Sequence, residues 1–217
     1  MNSDEAFREF VGIIKALRTP GTGCPWDLDQ DHRSLRPYLI EEAYEVLDAI
    51  DDGDDLALRE ELGDLLLQVV LHSQVAADRG AFTISDVVGD ISAKMIRRHP
   101  HVFGSTKVDG SADLVRNWDA IKAAEKPSGS SSDLPKGLPA LMRAQRLGDK
   151  AVKAGRHVEV IAGTIEQARE AFAGLEAETT AAKLGDLLFT LCQLARRIGV
   201  NAEDCLREST RNSIIDP

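Results

Sequence analysis

The chain has 217 residues, enough for one large domain or two small ones, with 43% hydrophobic residues to form a core and 29% charged residues to keep it in water. A formal net charge of −10 excludes a general nucleic-acid binder, because a phosphate backbone would be repelled overall. Cys24, Cys192 and Cys205 are widely spaced and form no CxxC, which excludes a disulfide framework or zinc cluster and fits the reduced thiols of a cytoplasmic protein.

The N-terminal stretch MNSDEAFREF is acidic and amphipathic, unlike a signal peptide. No apolar run approaches the roughly 20 residues that a membrane span needs. Apolar periodicity predicts a first helix over 3–18. TPGTGCPWDLDQDHRS, residues 19–34, is rich in Gly, Pro and Asp and reads as an ordered loop. Helices are expected at 36–52, 55–79, 84–98 and 111–125, followed by KPSGSSSDLPKG, a segment of linker composition over 126–137. Further helices are expected at 138–153, 164–177, 179–199 and 202–212. With no alternating strand pattern, the fold class is all-α, a helical bundle with a second, shorter helical half. The domains are expected at 1–125 and 138–217. Leu62-Gly63-Asp64-Leu65-Leu66 recurs as Leu184-Gly185-Asp186-Leu187-Leu188, which makes an internal duplication plausible.

The chemistry concentrates in EEAYEVLDAIDDGDDLALREELGD, residues 41–64, where Arg59 is the single base. Charge runs of this kind are ordinarily solvated helix faces. Spacing argues for more. Glu42 and Glu45 share one helix face at i, i+3, as do Glu61 and Asp64. Gly53 is a natural helix stop, and Asp54 or Asp55 a natural N-cap for the next helix. Glu45 and Glu61 each lie eight residues from Gly53, and Glu42 and Asp64 each lie eleven. A hairpin folded at Gly53 therefore brings the two pairs to one height, and four carboxylates converge. Such a group repels itself unless a cation is present. All-oxygen donors suit Mg²⁺ or Mn²⁺, and the absence of a Glu-x-x-His pair argues against di-iron. Gly63, in mid-helix, costs about 1 kcal/mol relative to Ala and suggests a close approach to the backbone there.

EEAYE followed by ELGD resembles the EExxE…ExxD signature of the MazG-type nucleoside triphosphate pyrophosphohydrolases, in the all-α NTP pyrophosphatase superfamily. GCPWD at 23–27, RRHPHVFG at 97–104 and NWDAIK at 117–122 are similar to other blocks of that family, and the resemblance covers residues 8–125. It implies Mg²⁺ held by Glu42, Glu45, Glu61 and Asp64, with Glu41 helping to position water. It also implies substrate contacts from Lys94, Arg98, Trp118 and Lys122. Both pairs are spaced i, i+4 and share a predicted helix face. His99 and His101 are expected to shape a turn around Pro100, and Trp26 to anchor packing.

The second half resembles a decayed copy. QAREAFAGL puts Arg169 and Ala173 where acids are expected and keeps Glu170, while KLGD offers Lys183 and Asp186. It is therefore expected to bind no catalytic metal and to serve packing or dimerisation.

The implied reaction is Mg²⁺-dependent hydrolysis of NTP or dNTP to the monophosphate and pyrophosphate, a house-cleaning activity on non-canonical nucleotides. Alternatives are a metal-binding regulatory module of weak activity, or a narrower dUTP/dCTP or phosphoribosyl-ATP pyrophosphohydrolase. Aromatic residues are only 5% of the chain, which favours loose base selectivity. The expected assembly is a cytoplasmic homodimer, with neither a membrane nor a nucleic-acid polymer as partner.

Overall fold

The computed structural model describes residues 2–125, 134–155 and 162–214. Of the expected linker at 126–137, residues 126–133 lie outside the described residues. The chain divides into two compact units, Met1–Lys126 and Pro127–Pro217. The first contains α1 (Ser3–Leu17), α2 (Pro25–Asp29), α3 (Arg36–Asp52), α4 (Asp55–Asp78), α5 (Ile84–Arg98), α6 (Pro100–Phe103) and α7 (Ser111–Ala124). The second contains α8 (Ala140–Lys153), α9 (Ile165–Ala177), α10 (Ala181–Ile198) and α11 (Ala202–Ile214). Among the described residues there is no strand, so the fold is all-α. None of their helices is long and apolar enough to cross a membrane.

Local chemistry sets the helix boundaries. Asn2 and Glu5 form a reciprocal capping box at the start of α1, and Thr83 and Asp86 do the same for α5. Gly53 closes α3 in the left-handed region at φ 67°, and its N–H is satisfied by the last turn. Asp54 then caps α4, its Oδ1 accepting from Leu56 N at 2.9 Å and Ala57 N at 3.1 Å. One glycine and one aspartate thus turn the chain back on itself, and α3 and α4 pack as an antiparallel hairpin.

α1 and α5 pack against α4, and α7 packs against α5. The core of this unit comprises Ile14, Leu35, Val70, Leu71 and Val75, flanked by Phe7, Phe10, Val11, Leu17, Leu67 and Ile84. It lies toward the C-terminal half of α4, leaving the first half of the hairpin to its carboxylates.

The expected 19–34 loop contains the short helix α2, and the expected turn at 99–104 contains α6. Both are single turns begun by a proline at their first helical positions, too short to show periodicity. Arg18, 8% exposed, fixes the loop. Its guanidinium donates to the carbonyls of Asp27 and Gln30 and pairs with Asp78 at 2.7 Å. Gly23 is required where it stands, because a Cβ there would strike the Leu17 carbonyl.

In the second unit α10 packs against α8, α9 and α11. Gln193, fully buried, donates to the Ala144 carbonyl at 2.9 Å and accepts from Arg196 Nε at 3.1 Å.

Candidate functional site

The α3–α4 hairpin brings Glu42, Glu45 and Glu61 together. One carboxylate oxygen from each lies within 4.8 Å of the others. Glu42 and Glu61 are half-buried and Glu45 is exposed, so the cluster opens to solvent on one side. Asp64 stands outside this group of three oxygens but is close enough to act on it. Burial raises the Glu42 carboxyl above its ordinary range, and the charges of Asp64 and Glu45 raise it further. Glu61 is raised for the same reasons, by burial first and then by Glu45, Asp64 and Glu60. Glu42 and Glu45 come within hydrogen-bonding reach. Two carboxylates can do that only by sharing a proton or a cation. Glu41 is exposed and lies outside the three-carboxylate group.

The donor set is chemically suited to a hard divalent cation. It is all oxygen, it opens to solvent, and it carries an unresolved repulsion that a cation would remove. Gly63 does not owe its place to a close approach within the chain. A Cβ added there would meet nothing within 4 Å, and the same holds for Gly185 in the repeated segment.

The second group of expected site residues lies on α5 and α7. Arg98 and Trp118 meet, with the guanidinium carbon 5.4 Å from the indole centroid. Lys94 is half-buried and Lys122 exposed, and neither forms an ion pair among the described residues. Arg98 is already neutralised: Glu125 accepts from its Nη2 at 2.5 Å and its Nε at 3.0 Å, and from Arg97 Nε at 2.7 Å. These bonds, Arg98 first, hold the Glu125 carboxyl down at about 2. Among the described residues no hydrogen bond or ion pair joins this group to the carboxylate cluster.

Glu125 is a residue that periodicity missed, since it stands just past the end of α7 and its partners lie 27 and 28 residues away. His99 packs edge-on against Trp118 at 5.1 Å and donates from Nδ1 to the Met95 carbonyl at 2.7 Å, so it supports the indole as well as the turn. Trp26 is half-exposed rather than buried, in edge contact with Tyr38 at 5.9 Å. Gln68 was also missed. Its Nε2 reaches Glu42 Oε1 at 3.5 Å. The available signal was a single polar residue inside the run LLLQVVL, in step with Glu61 and Asp64 at i+7 and i+4.

Residues 30–103, which hold the whole carboxylate hairpin, match the MazG nucleotide pyrophosphohydrolase domain. The chain is 43% identical over 215 residues to the Thermotoga maritima protein named nucleoside triphosphate pyrophosphohydrolase/pyrophosphatase MazG, covering 96% of this chain and 82% of that one. It is 39% identical over 212 residues to the Escherichia coli K12 nucleoside triphosphate pyrophosphohydrolase, covering 91% and 80%. It is 40% identical over 179 residues to the Mycobacterium tuberculosis protein of that name, covering 81% and 54%. Agreement at this level over nearly the full length of the chain, centred on the helices that carry the carboxylates, places it in the MazG family of nucleotide pyrophosphohydrolases.

Proposed function

We propose that this protein hydrolyses nucleoside triphosphates to the monophosphate and pyrophosphate, with Mg²⁺, replaceable by Mn²⁺, held by Glu42, Glu45, Glu61 and Asp64. The observation that carries the reading is the meeting of three carboxylate oxygens within 4.8 Å across a helical hairpin. Bound there, the cation supplies charge neutralisation for the phosphates and an acidified water. The protein's own part is positioning and electrostatics, which dominate phosphoryl and nucleotidyl transfer. Glu41, exposed beside the cluster, takes the proton of the attacking water. Lys94 and Lys122 provide unpaired positive charge for the triphosphate. Arg98, aligned by Glu125, braces Trp118, whose ring offers a face to base or ribose. Attack at the α-phosphorus releases pyrophosphate.

The working form is a cytoplasmic homodimer. Support comes from α3 and α4, which leave Ile40, Leu47, Leu62 and Leu66 exposed at 55%, 37%, 49% and 40%. A second copy would cover such surface. The second unit is a decayed copy of the first, and it serves packing. Its α9 and α10 form a helical pair, but Arg169 reaches back to Glu166 at 3.5 Å and Lys183 stands where a ligand acid is needed. A house-cleaning role on non-canonical nucleotides fits the scarcity of aromatic side chains.

The test is a panel of canonical and modified NTPs and dNTPs, with and without Mg²⁺, scored for monophosphate and pyrophosphate. Broad turnover that disappears with EDTA is expected. Activity confined to dUTP and dCTP, or to phosphoribosyl-ATP, would replace the general reading with a narrower one. Metal-independent turnover, or none, would reject it.

A further inference from the structure

α5 and α7 both end on basic residues, Arg97 and Arg98 in the last turn of α5 and Lys122 in the last turn of α7. Lys94 stands one turn before Arg98 on the same helix face. The chain as a whole carries a net charge of −10, so cations gathered at one place need a reason of their own. One carboxylate stands among them. Glu125 lies just past the end of α7, where its N–H still closes a turn on the Ile121 carbonyl at 3.1 Å. That is the negative end of the helix macrodipole, the end least suited to a carboxylate. The helix does not call for an acid there, but the arginines do.

Glu125 divides its two oxygens between them. Oε1 accepts from Arg97 Nε at 2.7 Å, and Oε2 accepts from Arg98 Nη2 at 2.5 Å and Nε at 3.0 Å. These are charge-assisted bonds, and a guanidinium that offers two donors to a carboxylate can offer the same two to a phosphate. Arg98 and then Arg97 hold the Glu125 carboxyl at about 2, so it is ionised at physiological pH. The Glu125 and Arg98 side chains are 20% and 16% exposed, whereas Arg97 is 52% exposed. An incoming anion therefore meets Arg97 first, with Arg98 held behind it.

We propose that Glu125 is a resident competitor for the polyphosphate end of the substrate. Its carboxylate occupies Arg97 and Arg98 until a triphosphate, or the released pyrophosphate, displaces it. A polyphosphate carries several oxyanions and engages Lys94 and Lys122 together with the arginines, whereas Glu125 brings one carboxylate. The exchange weakens binding, because Glu125 must part from its arginines each time an anion enters.

This inference rests on the reading of a nucleoside triphosphate as substrate but not on the metal, and it is tested first without metal. Inorganic tripolyphosphate is titrated into the protein in EDTA and followed by calorimetry. Glu125→Gln should bind it ~10-fold more tightly than wild type, the factor that the competitor withholds. Glu125→Asp keeps the charge and should stay within about threefold of wild type. Glu9→Gln removes an exposed carboxylate from α1 and should change the affinity by less than about twofold, because an exposed charge elsewhere on the surface is screened. With Mg²⁺ present, the KM of Glu125→Gln for NTP should fall about fivefold, while the Mg²⁺ needed for half-maximal rate stays within about twofold. Circular dichroism confirms that each variant is folded. One arm needs no substitution: the side-chain Nε–H resonances of Arg97 and Arg98 in wild-type protein should shift on addition of tripolyphosphate. Equal tripolyphosphate affinity in wild type and Glu125→Gln would overturn the proposal, as would no measurable binding by either, or unmoved arginine resonances. A raised KM in Glu125→Gln, the mark of a residue that only aligns Arg98, would overturn it too, and so would an equal gain in Glu9→Gln. Wild-type protein that hydrolyses no NTP removes the substrate reading, and the tripolyphosphate titration still decides whether Glu125 guards the arginines.

Discussion

Glu61 opposes the fold that carries it. Its carboxyl is raised by burial and by Glu45, Asp64 and Glu60, so the ionised form is held at a cost at neutral pH. A carboxyl whose folded pKa lies above its unfolded value loses stability as pH rises through that interval. Glu61→Gln should therefore raise the melting temperature in EDTA at pH 7, while removing the rise that Mg²⁺ gives the wild-type protein. A lower melting temperature for Glu61→Gln in EDTA would contradict the strained cluster. Glu42→Ala and Asp64→Ala should abolish turnover with helical circular dichroism unchanged, and full Mg²⁺-dependent activity in both would reject the site. Glu125 behaves in the opposite sense. Held at about 2 by Arg98 and Arg97, it contributes stability above the ~4.3 of an unfolded glutamate, and that contribution fades as pH falls toward 2. Urea melts at pH 5 and pH 3 should show a smaller loss of stability on acidification in Glu125→Gln than in wild type. These signs were not legible in a list of charges. The acidic residues of 41–64 look alike in sequence, and only the approach of particular oxygens separates those that repel from those that are merely solvated.

The α3–α4 hairpin makes the carboxylate cluster by register. Counting outward from Gly53 pairs Glu45 with Glu61 and Glu42 with Asp64, and the fold does turn at that glycine, with φ 67°. The oxygens of Glu42, Glu45 and Glu61 meet, whereas Asp64 stands at the margin of the group. Equal spacing along two helices sets the height of a residue but not the angle of its side chain. The turn itself is local chemistry. Asp54 accepts from two backbone N–H groups that would otherwise lack partners. Asp54→Ala should cost about 1 kcal/mol in a urea melt and should lower Mg²⁺ affinity only if the register shifts. Retention of wild-type stability would mean that packing, not the cap, fixes the hairpin. The long helices were visible from apolar periodicity. α2 and α6 were not, because a single turn offers no period to read, and the Arg18 anchor that seats α2 spans 60 residues in its bond to Asp78.

For the whole molecule, exposed apolar surface on α3 and α4 is the property that reaches beyond one chain. Sedimentation equilibrium should give a dimer mass, and Ile40→Glu, at a position 55% exposed within the chain, should shift it to monomer without unfolding. A wild-type monomer, or a dimer indifferent to Ile40→Glu, would refute association through this face. The buried core is small for the length of these helices. Ile14, Leu35, Val70, Leu71 and Val75 lie at one end of α4, and the carboxylates occupy the other. α4 thus gives one half of its length to the core and the other to the carboxylate cluster.

By itself the sequence determined the all-α class, the long helices, the hairpin at Gly53 and the acids available to it, because periodicity, caps and glycine stops act over a few residues. Tertiary structure alone decided which carboxylates touch, that Arg98 is committed to Glu125, that Gln68 faces Glu42, and that His72 meets His32. Those facts depend on side-chain direction and on contacts between segments 26 to 40 residues apart, which no local spacing encodes.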